Sequence, residues 1–419
     1  MRVLVVGSGA REHALCVALR ADPGVTGIVC APGNAGTDAV AEARPLDMTD
    51  PAALAALAIQ VAADLVVIGP ELPLVAGGAD AVRAAGIPCF GPSAAAARIE
   101  GSKEFAKSVM AAAGVPTAAG RTCRDAAEIE AALAEFGPPY VVKDDGLAAG
   151  KGVVVTEDLA VALEHGVAVV AAGHAVVVEE FLAGPEVSLF AVTDGTTIRP
   201  LLPAQDFKRI GDGDTGPNTG GMGAYCPLPW LPPDTVEDIA AAVLGPTVAE
   251  LARRGTPYQG LLYAGLVLTS AGPKVIEFNA RFGDPETQVV LALLRSPLGA
   301  LLHAAATGAL AAQPPLDWST DSAVTVVAAA AGYPGAPRTG DVVLGAGGDE
   351  VLHGGTRRDP DGEVLTSGGR VLSVTATAAT LGAARDAAYA TLSTVDFAGM
   401  QFRRDIAAAA VEGRITIPR

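Results

Sequence analysis

The residue types best suited to phosphate chemistry cluster first in Lys143-Asp144-Asp145-Gly146-Leu147-Ala148-Ala149-Gly150-Lys151-Gly152. Glycines let backbone N–H groups approach a polyphosphate closely, and the lysine ammonium groups neutralise its charge. In a P-loop such glycines lie between a strand and a helix and end in Gly-Lys-Ser/Thr. Here Tyr140-Val141-Val142 leads in and Val153-Val154-Val155-Thr156 follows. The pattern therefore predicts a loop joining two strands, a flap lying over a nucleotide.

A second cluster runs from Val275 to Glu286. Strand alternation places Glu277 and Asn279 on one face, with Ile276 and Phe278 on the other. A carboxylate and an amide oxygen two residues apart can share a hard cation whose coordination nucleotide phosphates complete. Arg281 continues that face and can meet a transferring phosphoryl group. A third segment, Val176 to Leu182 followed by Gly184-Pro185-Glu186, reads as a strand running into a hinge. Backbone groups there suit an adenine and Glu186 suits ribose hydroxyls; taken alone, it reads more readily as an edge strand with solvated acids.

The polar loop from Gln205 to Tyr225 holds two basic residues, three acids and six glycines, more than a connecting loop needs. It is predicted to bind substrate. The N-terminal Gly7-Ser8-Gly9-Ala10-Arg11-Glu12 begins like a dinucleotide fingerprint but has Glu12 at the third glycine position. The second strand ends at Cys30-Ala31-Pro32 without the acid that holds a ribose diol. This turn is either an anion site built on glycines and a helix N-terminus, with Arg11 as a charged partner, or a tight strand–helix connection alone. Pro32-Gly33-Asn34-Ala35-Gly36 and Gly69-Pro70-Glu71 are expected at the same sheet edge. A small phosphorylated substrate suits that edge better than NAD.

The elements that must position these residues follow from periodicity. Apolar strands alternate with helices over the first ~100 residues, which predicts a parallel, doubly wound sheet. Helices are expected at Ser102–Ala113, Ala126–Glu135, Val236–Ala252 and Ala379–Leu392, with a linker at Gln313-Pro314-Pro315. The chain has 419 residues, 50% of them hydrophobic, enough for several domains of roughly 100–200 residues. Its net charge of −17 disfavours nucleic acid and anionic membrane. Apolar runs such as Ala323–Gly332 fall short of the ~20 residues of a membrane span. Five cysteines without a CxxC predict buried thiols and a cytoplasmic protein, and the five histidines show no ligand spacing.

Together these segments resemble the ATP-grasp superfamily and, within it, the phosphoribosylamine–glycine ligases (glycinamide ribonucleotide synthetases). The likeness runs nearly end to end: GSGAREHAL, APGNAG, GPELPLV, EGSKEF, VVKDDGLAAGKGV, VEEFL, DTGPNTGGMGAY, LLYAGL, VIEFNARFGDPETQ, AAGYPG and TSGGRVL. DTGPNTGGMGAY with EFNARFGDPETQ is its most specific part.

The resemblance implies an α/β and α+β multidomain fold. A Rossmann-like substrate domain is expected at 1–102, an ATP-grasp domain at 103–312 with a lid at about 117–187, and a small α+β domain at 313–419. It further implies ATP held by Lys103, Lys143, Gly150, Gly152, the hinge Glu179, Glu180, Phe181 and Leu182, and Glu186. Mg²⁺ or Mn²⁺ would be held by Glu277 and Asn279. Lys143 and Arg281 would be catalytic. Gly9, Arg11, Asn34, Glu71, Asp206, Lys208, Asp214, Asn218, Gly220 and Arg281 would bind substrate.

The implied reaction joins glycine to 5-phosphoribosylamine in purine synthesis through glycyl phosphate, on a monomer without nucleic acid or membrane partners. The alternatives are another ATP-grasp carboxylate–amine ligase, or an inactive nucleotide-binding protein. Two positions depart from the family: Asp144 replaces a small residue, and Glu164–Gly173 is shorter than usual and lacks a Phe-Gly loop. Alternation should turn Asp144 away from Lys143.

Overall fold

The computed structural model describes residues 1–146 and 152–418. The first unit comprises β1 (Arg2–Gly7), α1 (Ala10–Arg20), β2 (Gly27–Pro32), β3 (Glu42–Ala43), α2 (Pro51–Gln60), β4 (Leu65–Ile68), α3 (Glu71–Val75), α4 (Gly78–Ala84), β5 (Cys89–Phe90) and α5 (Ala94–Gly101). Its sheet is parallel in the order β3-β2-β1-β4-β5. Strands such as Val3–Val6 and Leu65–Ile68 are buried throughout, as a sheet covered on both faces requires. The loops after β1, β2 and β4 consequently open on one edge.

Next come α6 (Lys103–Ala113), β6 (Gly120–Cys123), α7 (Ala126–Phe136), β7 (Tyr140–Asp144), β8 (Val153–Thr156), α8 (Leu159–Ala171) and β9 (Val176–Glu179). The antiparallel sheet β6-β9-β7-β8 packs Val142, Val176 and Val178 against Ile129, Leu133 and Ala162 of α7 and α8. β7 and β8 form a hairpin in register from Tyr140–Thr156 to Lys143–Val153, so the glycine-rich segment does join two strands. Leu147–Lys151 lie outside the described residues, and with them the Gly150 assignment. The short stretch Glu164–Gly173 adds no loop; it continues α8 to Ala171.

The chain then forms β10 (Glu186–Asp194), β11 (Ile198–Pro200), β12 (Gln205–Asp206), β13 (Arg209–Gly211), β14 (Thr215–Asn218), β15 (Gly223–Cys226), α9 (Thr235–Ile239), α10 (Gly245–Arg253), β16 (Gln259–Thr269) and β17 (Gly272–Asn279). The single helix expected at Val236–Ala252 is α9 and α10 joined by a π turn at Ala240–Leu244. Pro246 has no N–H to continue the α-helical ladder, and the wider turn accommodates it.

A floor sheet has the order β11-β10-β16-β17. Gly265 pairs with Glu277 and Leu266 with Val275, leaving Ile276 as a bulge. The alternation expected through Ile276 breaks there, and its carbonyl is released from the ladder.

The remaining elements are α11 (Glu286–Leu293), α12 (Leu298–Ala306), β18 (Ser322–Ala329), β19 (Val351–His353), β20 (Thr356–Arg358), β21 (Val364–Thr366), β22 (Arg370–Ala378) and α13 (Leu381–Leu392). The last large sheet runs β12-β15-β18-β22-β19. Gly223–Cys226 pair with Ala323–Val326, so this sheet spans the boundary expected at 313. The fully buried strand β15 needs a partner on each side, which the proline-rich link before β18 does not supply.

Candidate active site

The lid and floor meet at a set of fixed charges. Lys143, on β7, reaches the freed Ile276 carbonyl at 3.1 Å and Glu179 Oε2 at 2.6 Å. The Glu179 carboxylate is buried, and its other oxygen meets Lys107 Nζ at 2.7 Å. Lys107 is itself held by Thr117 Oγ1 and the Ala118 carbonyl, at 3.0 and 2.7 Å. The sequence reading missed Lys107, although it lies one helical turn from Lys103 on α6. Removing one partner from such a buried pair typically costs about 3–5 kcal/mol.

Lys103 donates to the Gly146 carbonyl at 3.2 Å, at the edge of the flap. Burial lowers its pKa, opposed by the Glu277 carboxylate and reinforced by Lys143. Gly152 accepts Asp144 N–H at 2.8 Å. Asp144 turns away from Lys143, as alternation predicts, and meets His174 Nδ1 at 3.1 Å and Gly146 N–H at 2.9 Å. Its pKa is lowered: burial opposes ionisation, but the Gly146 N–H and His174 outweigh it. Asp144 thus braces the base of the hairpin loop.

The expected hinge residues divide by role. Glu180 N–H is taken by the Ala119 carbonyl at 2.9 Å, and its carboxylate by Lys274 at 2.8 Å and Ala119 N–H at 3.0 Å. Phe181 is 45% exposed and Leu182 half-buried. Glu186 begins β10 with its carboxylate 2.6 Å from Lys208 Nζ. That ammonium lowers the Glu186 pKa despite the opposing effect of burial. Lys208 also meets Asp206 at 3.0 Å. Burial pushes Asp206 up to about 7 despite Lys208, with Glu286 and Glu186 adding to the rise. Asp206 and Lys208 therefore group with Glu186 at the nucleotide side of the expected layout.

Glu277 and Asn279 lie half-buried on β17. Among the described residues the Glu277 carboxylate has no ion-pair partner, while Asn279 Oδ1 has only Arg281 Nη2 at 3.4 Å. Two oxygen donors left this open suit a hard cation. The described residues form no group of three or more His, Cys, Asp or Glu able to hold a metal alone, so further ligands must come from the bound molecules.

Arg281 stands between two carboxylates. Nε lies 3.3 Å from Glu71 and Nη2 lies 3.3 Å from Glu100. The Glu71 oxygen is within ion-pair range but off the N–H direction, so Nε donates no hydrogen bond among the described residues. Burial disfavours the guanidinium charge, yet Glu100 and Glu71 raise its pKa.

The β1–α1 turn is closed from within. Glu12 accepts Gly9 N–H at 2.6 Å and Arg11 Nε at 2.6 Å, while Arg11 Nη1 donates to the Phe282 carbonyl at 3.0 Å. A Cβ on Gly69 would sit 2.0 Å from Glu12 Oε1. Glu12 supplies the anion at this helix N-terminus. The anion-site reading of the turn is corrected: Gly9 N–H and Arg11 are already engaged, and Arg11 is buried.

Beside this turn lies a cleft of about 580 Å³ whose walls come from both ends of the chain. Ser8, Gly9, Gly33 and Asn34 form one side; Asp284 and the segments Gly354–Arg357 and Ser367–Arg370 form the other. Asn34 lines it, but its side chain is spent on structure: Nδ2 donates to the Ser8 and His353 carbonyls, and Oδ1 accepts Gly36 and Thr37 N–H. Arg370 Nη1 binds the carbonyls of Gly220 and Asp284 at 2.6 and 2.5 Å. Gly220 thereby touches the cleft wall.

Asp214 does not line the cleft. It pairs at 2.6 Å with buried Arg403, which Asp405 also holds, pinning the β13–β14 hairpin to the C-terminal segment. Asn218 faces Arg209 across that hairpin. Sequence reasoning missed the C-terminal wall. Its signal was the pair Gly354-Gly355 and Gly368-Gly369, each followed closely by an arginine.

Comparison with known proteins matches this layout. Models of the phosphoribosylglycinamide synthetase N domain, ATP-grasp (A) domain and C domain match residues 1–100, 101–287 and 323–409. The chain is 63% identical to the phosphoribosylamine–glycine ligase of Streptomyces coelicolor, over 98% of this chain and 99% of that one. It is 60% identical to the Mycobacterium bovis enzyme of the same name over the full length of both. The crystal structure of phosphoribosylamine–glycine ligase from Thermotoga maritima superposes with a TM-score of 0.85 at 34% identity, covering 97% of this chain and all of that one. A biotin carboxylase domain from Hydrogenobacter thermophilus shares the fold, with a TM-score of 0.71 at 18% identity over 96% of this chain and 91% of that one. The chain belongs to the phosphoribosylglycinamide synthetase family, with its N, ATP-grasp and C domains.

Proposed function

We infer that the chain is an ADP-forming carbon–nitrogen ligase of purine biosynthesis, joining glycine to 5-phosphoribosylamine. The observation that carries this reading is the run of β17 into the cleft. Glu277 and Asn279 stand at the lid side, Arg281 follows, and Asp284 reaches the cleft wall. One short segment thus links a phosphate-handling pocket to a cleft suited to a phosphorylated amine.

In this reading Lys103 and Lys143 neutralise ATP phosphates under the flap, with Gly150 and Gly152 offering backbone contacts. The hinge Glu179–Leu182 receives adenine through backbone groups, and Glu186 the ribose once Lys208 yields. A divalent cation, Mg²⁺ or Mn²⁺, would be held by Glu277 and Asn279; when bound it spreads the charge of the phosphates. A glycine carboxylate oxygen attacks the γ-phosphorus and ADP leaves. Arg281 offsets the charge on the transferring phosphoryl group, as phosphoryl transfer demands more positioning than covalent chemistry. The amine of phosphoribosylamine then attacks the acyl carbon, phosphate departs with the glycine oxygen, and the nitrogen gives up a proton.

The cleft lined by Arg357, Arg370 and paired glycines suits the ribose phosphate. Gly9 and Asn34 line it, Gly220 meets its wall through Arg370, and Glu71 stands beside Arg281. No helix among the described residues is long and apolar enough to cross a membrane. All five cysteines are buried thiols, which fits a reducing, cytoplasmic setting. One chain supplies every group invoked, so a monomer suffices.

The test is ADP release by the purified protein with glycine and freshly prepared phosphoribosylamine omitted in turn. Dependence on both is expected. ADP formation indifferent to either omission would overturn the reading.

A further inference from the structure

Arg281 is the cation the proposed reaction relies on, yet the segment that carries it just past β17 does little to aim it. Within its segment it makes only long contacts, 3.3 Å to the Phe282 carbonyl and 3.4 Å to Asn279 Oδ1. Its orientation must come from elsewhere. Glu100, the penultimate residue of α5, supplies it from the N-terminal unit. The Glu100 side chain is 8% exposed, and its two oxygens divide the work. Oε2 accepts Ala280 N–H at 2.7 Å, fixing the backbone just before Arg281. Oε1 faces Arg281 Nη2 at 3.3 Å.

A neutral side chain could satisfy the Ala280 N–H equally well. A buried carboxylate at this position is explained only by the guanidinium beside it. The junction after Glu100 adds a second consequence. Gly101 ends α5, Ser102 caps α6, and Lys103 begins α6. Two residues therefore separate the carboxylate that faces Arg281 from an ammonium at the flap's edge. Asp145 clamps this junction by accepting Ser102 Oγ at 3.1 Å and Glu104 N–H at 2.7 Å.

We propose that Glu100 is a positioning residue: it fixes both the backbone and the guanidinium of Arg281, and so sets the cation against the transferring phosphoryl group relative to Lys103. Glu71 differs in kind. Both carboxylates meet the guanidinium as ion pairs at 3.3 Å, but Glu71 is 31% exposed and, among the described residues, holds none of the backbone beside Arg281, unlike Glu100. The proposal rests on the ligase reading above, because it assigns Arg281 to the phosphoryl group.

The test is Glu100→Gln, which keeps an acceptor for Ala280 N–H and removes the charge. The assay is glycine- and phosphoribosylamine-dependent ADP release, with ADP affinity and the thermal midpoint measured alongside. The expected result is a kcat lowered roughly tenfold or more, with KM for ATP and ADP affinity near wild type. In an Arg281→Lys background the same change should cost little further, since both act through one group. A wild-type kcat in Glu100→Gln, or a loss that simply adds to that of Arg281→Lys, would overturn the proposal.

If Glu100→Gln does not fold, Glu100→Asp decides. It keeps the charge one methylene short of its place and should lower kcat about threefold or more; an unchanged kcat would overturn the positioning claim. Failure of the ligase reading is separate, because it would show in the wild type as ADP release indifferent to the substrates.

Discussion

On the lid side, phosphate-directed charges are fixed by other charges. Lys143 and Lys107 share Glu179, Lys208 lies between Glu186 and Asp206, and Arg281 stands between Glu71 and Glu100. In the cleft between the N-terminal turn and the C-terminal sheet, the walls are mostly glycine, serine and threonine, with Arg357 and Arg370 as the cations. Arg370 is aimed there by the Gly220 and Asp284 carbonyls, with a single carboxylate, Asp284, 3.4 Å away. The contrast follows from the proposed ligands. A transferring phosphoryl group needs cations that do not move as charge develops. A ribose phosphate that only has to be held can use backbone N–H groups and one fork-shaped donor.

The comparison breaks most sharply at Glu277. Glu277→Ala is expected to lower kcat/KM on the order of a hundredfold or more, because it removes a carboxylate that makes no ion pair among the described residues and stands two positions from Asn279. Steady-state ADP release over a titration of Mg²⁺ and of Mn²⁺ measures it, and full activity would remove Glu277 from the site. Arg370→Ala should have a smaller and different effect, raising KM for phosphoribosylamine by about tenfold while KM for ATP holds. Equal effects on both Michaelis constants would dissolve the division between the two regions.

The smallest expected effect concerns the join between the terminal regions. His13 Nδ1 accepts His353 N–H at 2.8 Å, and the two rings lie 5.7 Å apart. Burial, then His353 and Arg20, hold the His13 pKa down to about 3, whereas an unfolded histidine titrates near ~6.5. Between those values the unfolded chain binds the extra proton. The stabilising effect of neutral His13 is complete above about 6.5 and is lost as pH falls toward 3. His13→Gln should flatten the acid-side fall of the thermal midpoint without changing its value above pH 7 by more than a few degrees. An identical pH slope in both proteins would exclude this group.

Much of this was legible in the sequence for a physical reason. Buried parallel strands announce themselves as unbroken apolar runs, and the strand-to-strand setting of the flap follows from valines on both sides of its glycines. Asp144 turning away from Lys143 needed only strand alternation. The rest depended on contacts between distant residues. Gly7-Ser8-Gly9 looked open to an anion, yet Glu12, three residues beyond Gly9, folds back and closes it. Asp214 looked like a ligand for substrate until Arg403, nearly two hundred positions away, claimed it. The Ile276 bulge depends on the register of β16, which β17 alone does not reveal. The C-terminal cleft wall stayed hidden because paired glycines acquire meaning only when a second loop approaches. A Cβ on Gly355 would lie 2.6 Å from the Gly368 Cα.

The central claim is that glycine is phosphorylated on the lid side and captured by the amine from the cleft. Glycine labelled with ¹⁸O in its carboxylate tests this directly, with mass analysis of the phosphate released as the amide forms. The account predicts one ¹⁸O transferred to each phosphate. Amide formation with unlabelled phosphate would contradict it.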